Sequence, residues 1–140
     1  MTRRFAVGTA TLLGCFALLN GLYMLLSPLG WYFAVPGVTT TGPFNQHFLR
    51  DIGLIFEFVS GAFLFGVSRP QYRVVLWGAA SLWLAGHALF HVWEVLVGIC
   101  GPYALARDFP AVSLPAIVGL TLTGWVAANS DVRGRPSRAN

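Results

Sequence analysis

The sequence predicts an all-α integral membrane protein, a bundle of four helices that each cross the bilayer. Of the 140 residues, 56% are hydrophobic and only 10% are charged, whereas about a quarter of the residues in a soluble domain are charged. The mean hydropathy is +0.66. Four apolar segments also have the roughly 20 residues needed to cross a hydrocarbon core. We therefore expect residues 1–140 to form a single transmembrane domain.

The four spans are predicted, in chain order, at residues 5–27, 46–67, 74–98 and 110–129. Each should be a helix, because lipid offers no hydrogen-bond partner to an unpaired backbone group. Small residues recur at every fourth position of the first span and predict close helix packing: Ala6, Ala10 and Gly14, followed by Ala17 and Gly21. In the fourth span, Pro115 removes one backbone donor and predicts a kink.

The arginines predict the orientation of the bundle. Seven of them lie before the first span, between the second and third, or after the fourth: Arg3, Arg4, Arg69, Arg73, Arg133, Arg135 and Arg138. Basic residues are enriched in cytoplasmic segments. Both termini are therefore predicted on the cytoplasmic side (N-in/C-in) of a multi-pass protein of the cell's inner (plasma) membrane. Residues 131–140 would form a short cytoplasmic tail.

The connection between the first and second spans, residues 28–45, is the longest stretch outside the predicted spans and carries no charge. It contains the aromatic run Trp31-Tyr32-Phe33, and aromatic residues favour the membrane interface. We expect an ordered outer loop that caps the bundle. Asn45, at its end, is suited to cap the N-terminus of the second helix.

Ionisable residues inside apolar spans are costly, which makes them functional candidates. Seven such residues lie in the second and third spans: His47, Arg50, Asp51, Glu57, His87, His91 and Glu94. On each helix they fall within one arc, and the two sets lie at matching depths from the outer end. The sequence therefore predicts that the second and third helices meet along these residues. Asn20, in the outer half of the first span, could join them.

One interpretation of this pattern is structural. Interhelical polar contacts can hold transmembrane helices in register. The predicted contacts are an ion pair of Arg50 with Glu94, and hydrogen bonds of Asp51 with His91 and of Glu57 with His87. The protein would then be a non-catalytic structural or accessory membrane subunit.

The other interpretation is a site for redox or proton chemistry. Three carboxylates against one arginine leave two negative charges in a poorly solvated place, where uncompensated charge is costly. Protons on the carboxylates, protons on the histidines or a bound transition metal ion would cancel them. For the metal, imidazoles with carboxylates suit zinc, iron or copper. The candidate ligands are His47, Asp51, Glu57, His87, His91 and Glu94. A narrower alternative is haem on two of the histidines, bound non-covalently because the chain has no Cys-x-x-Cys-His motif.

The segment from Asn45 to Gly53, Asn-Gln-His-Phe-Leu-Arg-Asp-Ile-Gly, opens the second span. It resembles the start of the second helix in small uncharacterised four-helix bacterial membrane proteins, including the DoxX-like group. The resemblance covers the overall layout and this one motif. It implies the fold far more than a function.

The isoelectric point near 9.7 is typical of nucleic-acid-binding proteins. The arginines nevertheless lie at helix ends and in the tail, which argues against a nucleic-acid patch. The expected surroundings are the lipid bilayer, and the expected protein partners are a second copy of the chain or other membrane subunits. A transporter is a third and weaker alternative, because four helices seldom form a path without oligomerising.

Overall fold

A computed structural model describes residues 1–131 of the chain. The predicted tail beyond residue 131, with Arg133, Arg135 and Arg138, lies outside the described residues. The all-α prediction is confirmed. The helices are α1 (Arg3–Leu26), α2 (Pro28–Ala34), α3 (Gln46–Ser68), α4 (Arg73–Leu96), α5 (Tyr103–Asp108) and α6 (Leu114–Asp131).

Within residues 1–131, four helical stretches are long and apolar enough to cross a membrane: Arg3–Leu26, Gln46–Ser68, Pro70–Leu96 and Tyr103–Asn129. The bounds of the first three stretches agree closely with the predicted spans, while the fourth stretch begins earlier than predicted. Large apolar side chains point away from the bundle on every one of them, and Leu12, Phe58 and Leu82 are 73%, 76% and 70% exposed. Such faces fit a hydrocarbon surrounding better than water.

Helices α1 and α3 pack most closely. The small residues predicted to mark the contact face of α1 are buried, with Ala6 and Ala10 fully covered. At the crossing point a Cβ added to Gly21 would lie 2.9 Å from the carbonyl oxygen of Gly53. The two backbones therefore approach until only glycine fits, and this contact sets the rotation of α3 about its own axis.

Helix α4 contacts α3 through the half that begins at Arg73. Trp77 is fully buried, and its Nε1 donates to the carbonyl oxygen of Phe63 at 3.1 Å. The guanidinium of Arg73 donates to the carbonyl oxygens of Gly66 and Val67, each at 2.9 Å. These bonds satisfy carbonyls that the end of α3 leaves without a helical partner.

The fourth stretch is continuous from Tyr103 but contains a π-helical turn, Phe109–Ser113, between α5 and α6. In this turn the Leu114 N–H donates to the carbonyl oxygen of Phe109, five residues back. Pro115 follows directly and has no N–H to donate, so a regular α-helical ladder cannot run through this segment. The kink at Pro115 stays a prediction, and the structure shows a π turn that ends two residues before it.

Successive long helices run antiparallel, so the bundle has two ends. The α2 end holds α2, the loop of residues 35–45 and the start of α5, and the Pro70 end holds the turn Pro70–Tyr72. The 28–45 connection is ordered, as predicted. Its Trp31 Nε1 donates to Asn20 Oδ1 at 2.9 Å, and its Tyr32 hydroxyl donates to the Gly42 carbonyl at 2.8 Å. Asn45 accepts from the Phe48 N–H at 3.1 Å, which confirms it as the N-cap of α3.

Candidate functional site

A cavity of about 950 Å³ lies at the α2 end, among α1, α2, α3, α4 and the start of the fourth stretch. Its volume is in the range of small-molecule binding pockets. Most of its wall is apolar, with seven aromatic side chains: Phe16, Trp31, Tyr32, Phe48, Phe56, Trp83 and Phe90. The polar and thiol side chains in the wall include Asn20, His87, His91, Glu94, Cys100, Arg107 and Asp108.

Three of these side chains form one polar cluster, made of His91, Arg107 and Asp108. Arg107 Nε donates to Asp108 Oδ1 at 2.6 Å, and Arg107 Nη2 donates to Oδ2 at 2.9 Å. Such bidentate pairs are among the stronger charged contacts in proteins. His91 Nδ1 lies 3.1 Å from the same Oδ2. The Asp108 side chain is 13% exposed, so the polar cluster is largely shielded from surrounding solvent.

The carboxylate of Asp108 determines how His91 can act. A carboxylate only accepts hydrogen bonds, so Nδ1 of His91 carries the hydrogen that lies between them. The other ring nitrogen, Nε2, is then left for a different partner. Since His91 lines the cavity, it is suited to bind a polar group there.

An aromatic series extends from the polar cluster to α3. The rings of His91 and His87 meet edge to face with centroids 4.8 Å apart. His87 stacks on Trp83 at 5.3 Å, and Trp83 meets Phe56 of α3 edge to face, also at 5.3 Å. These contacts hold the two histidines in defined orientations along one side of the cavity.

The 35–45 loop holds Arg107 from the other side. Gly37 has a φ of 89°, a left-handed conformation that glycine adopts without strain. The Arg107 guanidinium packs so closely on Gly37 that a Cβ there would overlap it. Arg107 also lies over the ring of Tyr103, at 5.6 Å from its centroid. The loop therefore completes the cavity wall beside the polar cluster.

The polar residues of the second span, which were predicted to contact the third span, do not make those contacts. His47 Nε2 lies 3.3 Å from Asp51 Oδ2 one turn along α3, and their side chains are 89% and 55% exposed. Arg50 Nε donates to the Leu25 carbonyl of α1 at 3.2 Å. These three residues face away from α4.

Glu57 faces α1 as well. A Cβ added to Gly21 would lie 2.5 Å from Glu57 Oε1. Within residues 1–131 this oxygen is buried and has no hydrogen-bond partner. Glu57 thus lies at the tight crossing of α1 and α3.

The predicted contacts between the polar faces of α3 and α4 are therefore corrected. Arg50 bonds to a backbone carbonyl instead of Glu94, and His91 pairs with Asp108 instead of Asp51. His87 stacks on Trp83, while Glu57 lies against α1. The physical reason is the rotation of α3, because the contact at Gly21 and Gly53 turns its polar face towards α1 and the surroundings.

The metal site predicted from His47, Asp51, Glu57, His87, His91 and Glu94 does not assemble either. In the part of the chain that the structure describes, no group of three or more His, Cys, Asp or Glu side chains is placed to hold a metal ion. His87, His91 and Glu94 do line the same cavity. The other three candidates lie outside its wall.

Arg107 and Asp108 are the site residues that sequence reasoning missed. The predicted fourth span began at Pro110, which left the pair in an outer loop. The helical stretch begins at Tyr103 and brings both residues beside α4. The available signal was an Arg-Asp pair directly before an apolar segment, preceded by a Gly-Pro that is typical of a helix start.

The chain matches no protein-family model, no curated protein and no solved structure. The resemblance of residues 45–53 to the DoxX-like group stays a prediction. A function must therefore be argued from the geometry of the cavity and the polar cluster.

Proposed function

We propose that the chain is a four-span protein of the inner membrane that binds a small lipophilic molecule in the cavity at its α2 end. Both termini would lie in the cytoplasm, with the α2 end outside. The arginines support this orientation: Arg3 and Arg73 line one small cavity with Gln71 and Trp125, at the Pro70 end. Basic residues favour the cytoplasmic side.

The observation that carries the proposal is an aromatic-walled cavity of about 950 Å³ with a fixed polar cluster in its wall. Binding pockets typically combine apolar walls with a few placed polar groups. A lipophilic ligand would bury its body against rings such as Phe56 and Trp83. Its polar head would bond to Nε2 of His91, whose ring Asp108 holds in place.

The same geometry supports proton exchange at His91. A histidine oriented by a carboxylate can accept a proton from a bound group and return it. Asp108 would hold the His91 ring in its orientation, and Arg107 would keep Asp108 in position. This is the part of the predicted redox or proton chemistry that the cavity favours.

The structural interpretation is favoured by a different set of contacts. Trp77 and Arg73 of α4 bond to carbonyls at the end of α3. Ser81 of α4 lies 3.2 Å from Thr123 of α6, oxygen to oxygen. These bonds hold helices together without lining the cavity. An accessory subunit would need them and would have no use for a ligand.

A pair of glycine variants tests the proposal. A Cβ on Gly86, in the cavity wall, or on Gly61, outside it, would meet no atom within 4 Å. Gly86→Phe should therefore fill the cavity, while Gly61→Phe serves as the matched control. The probe is N-phenyl-1-naphthylamine, a neutral lipophilic fluorophore, titrated into purified protein in detergent.

We expect saturable binding to the wild type and to Gly61→Phe, and binding weaker by about tenfold or more in Gly86→Phe. Absence of saturable binding to the wild type would overturn the proposal and favour the accessory subunit. Equal affinities of the two variants would show that the probe binds elsewhere.

A further inference from the structure

One carboxylate in the cavity wall takes no part in an ion pair with the described residues. The carboxylate and guanidinium side chains in the wall are those of Arg107, Asp108 and Glu94. Arg107 and Asp108 neutralise each other through two hydrogen bonds. Glu94 takes part in none of the ion pairs found among residues 1–131. The Glu94 carboxylate therefore lines the cavity without an ion-pair partner in that part of the chain.

Glu94 belongs to the same side of the cavity as the histidines. It follows Phe90 by four residues and His91 by three, spacings that place side chains on one face of a helix. All three line the cavity, and Glu94 is half-buried. A carboxylate in such a position is poorly solvated, and a cation bound beside it would offset that cost.

The aromatic walls favour the same kind of ligand. The faces of tryptophan, tyrosine and phenylalanine rings attract cations, most strongly where water is excluded. Trp31 and Tyr32 of α2 and Phe90 of α4 are in the wall. Aromatic faces together with one carboxylate can receive an organic cation whose body is apolar.

The charged groups in the cavity wall disfavour an anionic ligand. Arg107, the fixed cation in the wall, is held by Asp108, by the ring of Tyr103 and by Gly37. Asp108 already neutralises the charge of Arg107, and Glu94 would repel an anionic ligand.

We infer that the cavity selects lipophilic cations, such as amphipathic amines or quaternary ammonium compounds, with the ligand's charge beside Glu94. This inference rests on the proposed function and names its ligand class. Neutral lipophiles would bind more weakly, through the apolar walls alone. Lipophilic anions would be excluded.

Two probes of matched shape and opposite charge test the inference on the wild-type protein. Tetraphenylphosphonium is a cation, and tetraphenylborate is an anion of closely similar size. Equilibrium dialysis of purified protein in detergent should give at least about tenfold tighter binding of the cation. Equal binding of the two, or tighter binding of the anion, would overturn the inference.

Two carboxylate variants test which carboxylate binds the charge of the ligand. Glu94→Gln should weaken tetraphenylphosphonium binding by about tenfold and affect N-phenyl-1-naphthylamine binding much less, and the retained binding of the neutral probe shows that the variant is folded. Asp51→Asn removes an exposed carboxylate outside the cavity and should change neither. If Glu94→Gln binds the cation as the wild type does, the inference fails while the proposed function stands. If neither probe binds the wild type, both fail.

Discussion

At the scale of single residues, Asp108 organises the candidate site. Its two oxygens receive Arg107, and one of them also contacts His91. Removing the carboxylate would leave a guanidinium without its acceptor and a histidine ring without its orienting partner. Asp108 is thus the residue on which the geometry of the polar cluster most depends.

Asp108→Asn should lower the free energy of unfolding by roughly 1–3 kcal/mol, between the small effect of an exposed ion pair and the larger effect of a buried one. Its effect should not add to that of His91→Ala, because the two side chains are in contact at 3.1 Å. The measurement is a double-mutant cycle of thermal stability in detergent. Asp51→Asn with His91→Ala is the control cycle and should be additive, and coupling there would contradict the structure.

Much of the site could be predicted at this scale, but its partners could not. The spacing of His87, His91 and Glu94 correctly predicted a shared face on α4, and all three line the cavity. The residues opposite them depend on how neighbouring helices rotate and where the fourth stretch begins. The periodicity of one helix gives no information on how its neighbours rotate or where another helix begins. Asp51 was therefore predicted as the partner of His91, although that partner is Asp108.

At the scale of elements, the small residues of α1 decide the packing. They could be recognised from their four-residue spacing, and they are buried as predicted. Their consequence for α3 was harder to see. Because Gly53 must face α1 for the backbones to meet, Arg50 and Glu57 turn towards α1 as well. The polar face of α3 was identified correctly and assigned to the wrong neighbour.

Two glycine-to-alanine variants on α1 test this packing. A Cβ at Gly21 would lie 2.9 Å from the Gly53 carbonyl oxygen, whereas a Cβ at Gly8 would meet nothing within 4 Å. Overpacking of this kind costs about 1–3 kcal/mol, while alanine itself favours a helix by up to about 1 kcal/mol. The unfolding temperature in detergent should therefore be lower for Gly21→Ala than for the wild type. For Gly8→Ala it should equal that of the wild type or be slightly higher. Equal stability of the two variants would contradict the close crossing.

At the scale of the whole molecule, the amino-acid composition predicted more of the structure than the spacing of particular residues did. An apolar chain with few charges predicted the all-α fold and the four long helices, and the structure confirms them. The cavity could not be predicted, because it arises where α3 and α4 face each other across the α2 end without filling the space between them. The orientation of the bundle in the membrane is predicted from the positions of the arginines alone.

Site-directed labelling tests the orientation. In protein with Cys15 and Cys100 changed to serine, Thr40→Cys and Gln71→Cys place single thiols at exposed positions at opposite ends of the bundle. A membrane-impermeant maleimide should label residue 40 in intact cells and residue 71 only after lysis. The reverse order of labelling would place the α2 end in the cytoplasm.

The central claim is that the cavity at the α2 end is the ligand site, and a native thiol tests it directly. Cys100 lines the cavity, whereas Cys15 is exposed on α1 and lies outside its wall. Wild-type protein is treated with a membrane-permeable maleimide at increasing concentrations of tetraphenylphosphonium or N-phenyl-1-naphthylamine, and both cysteines are followed by peptide mass spectrometry. Ligand occupancy should slow the labelling of Cys100 several-fold and leave Cys15 unchanged. A bound probe that leaves the labelling rate of Cys100 unaltered would contradict the claim.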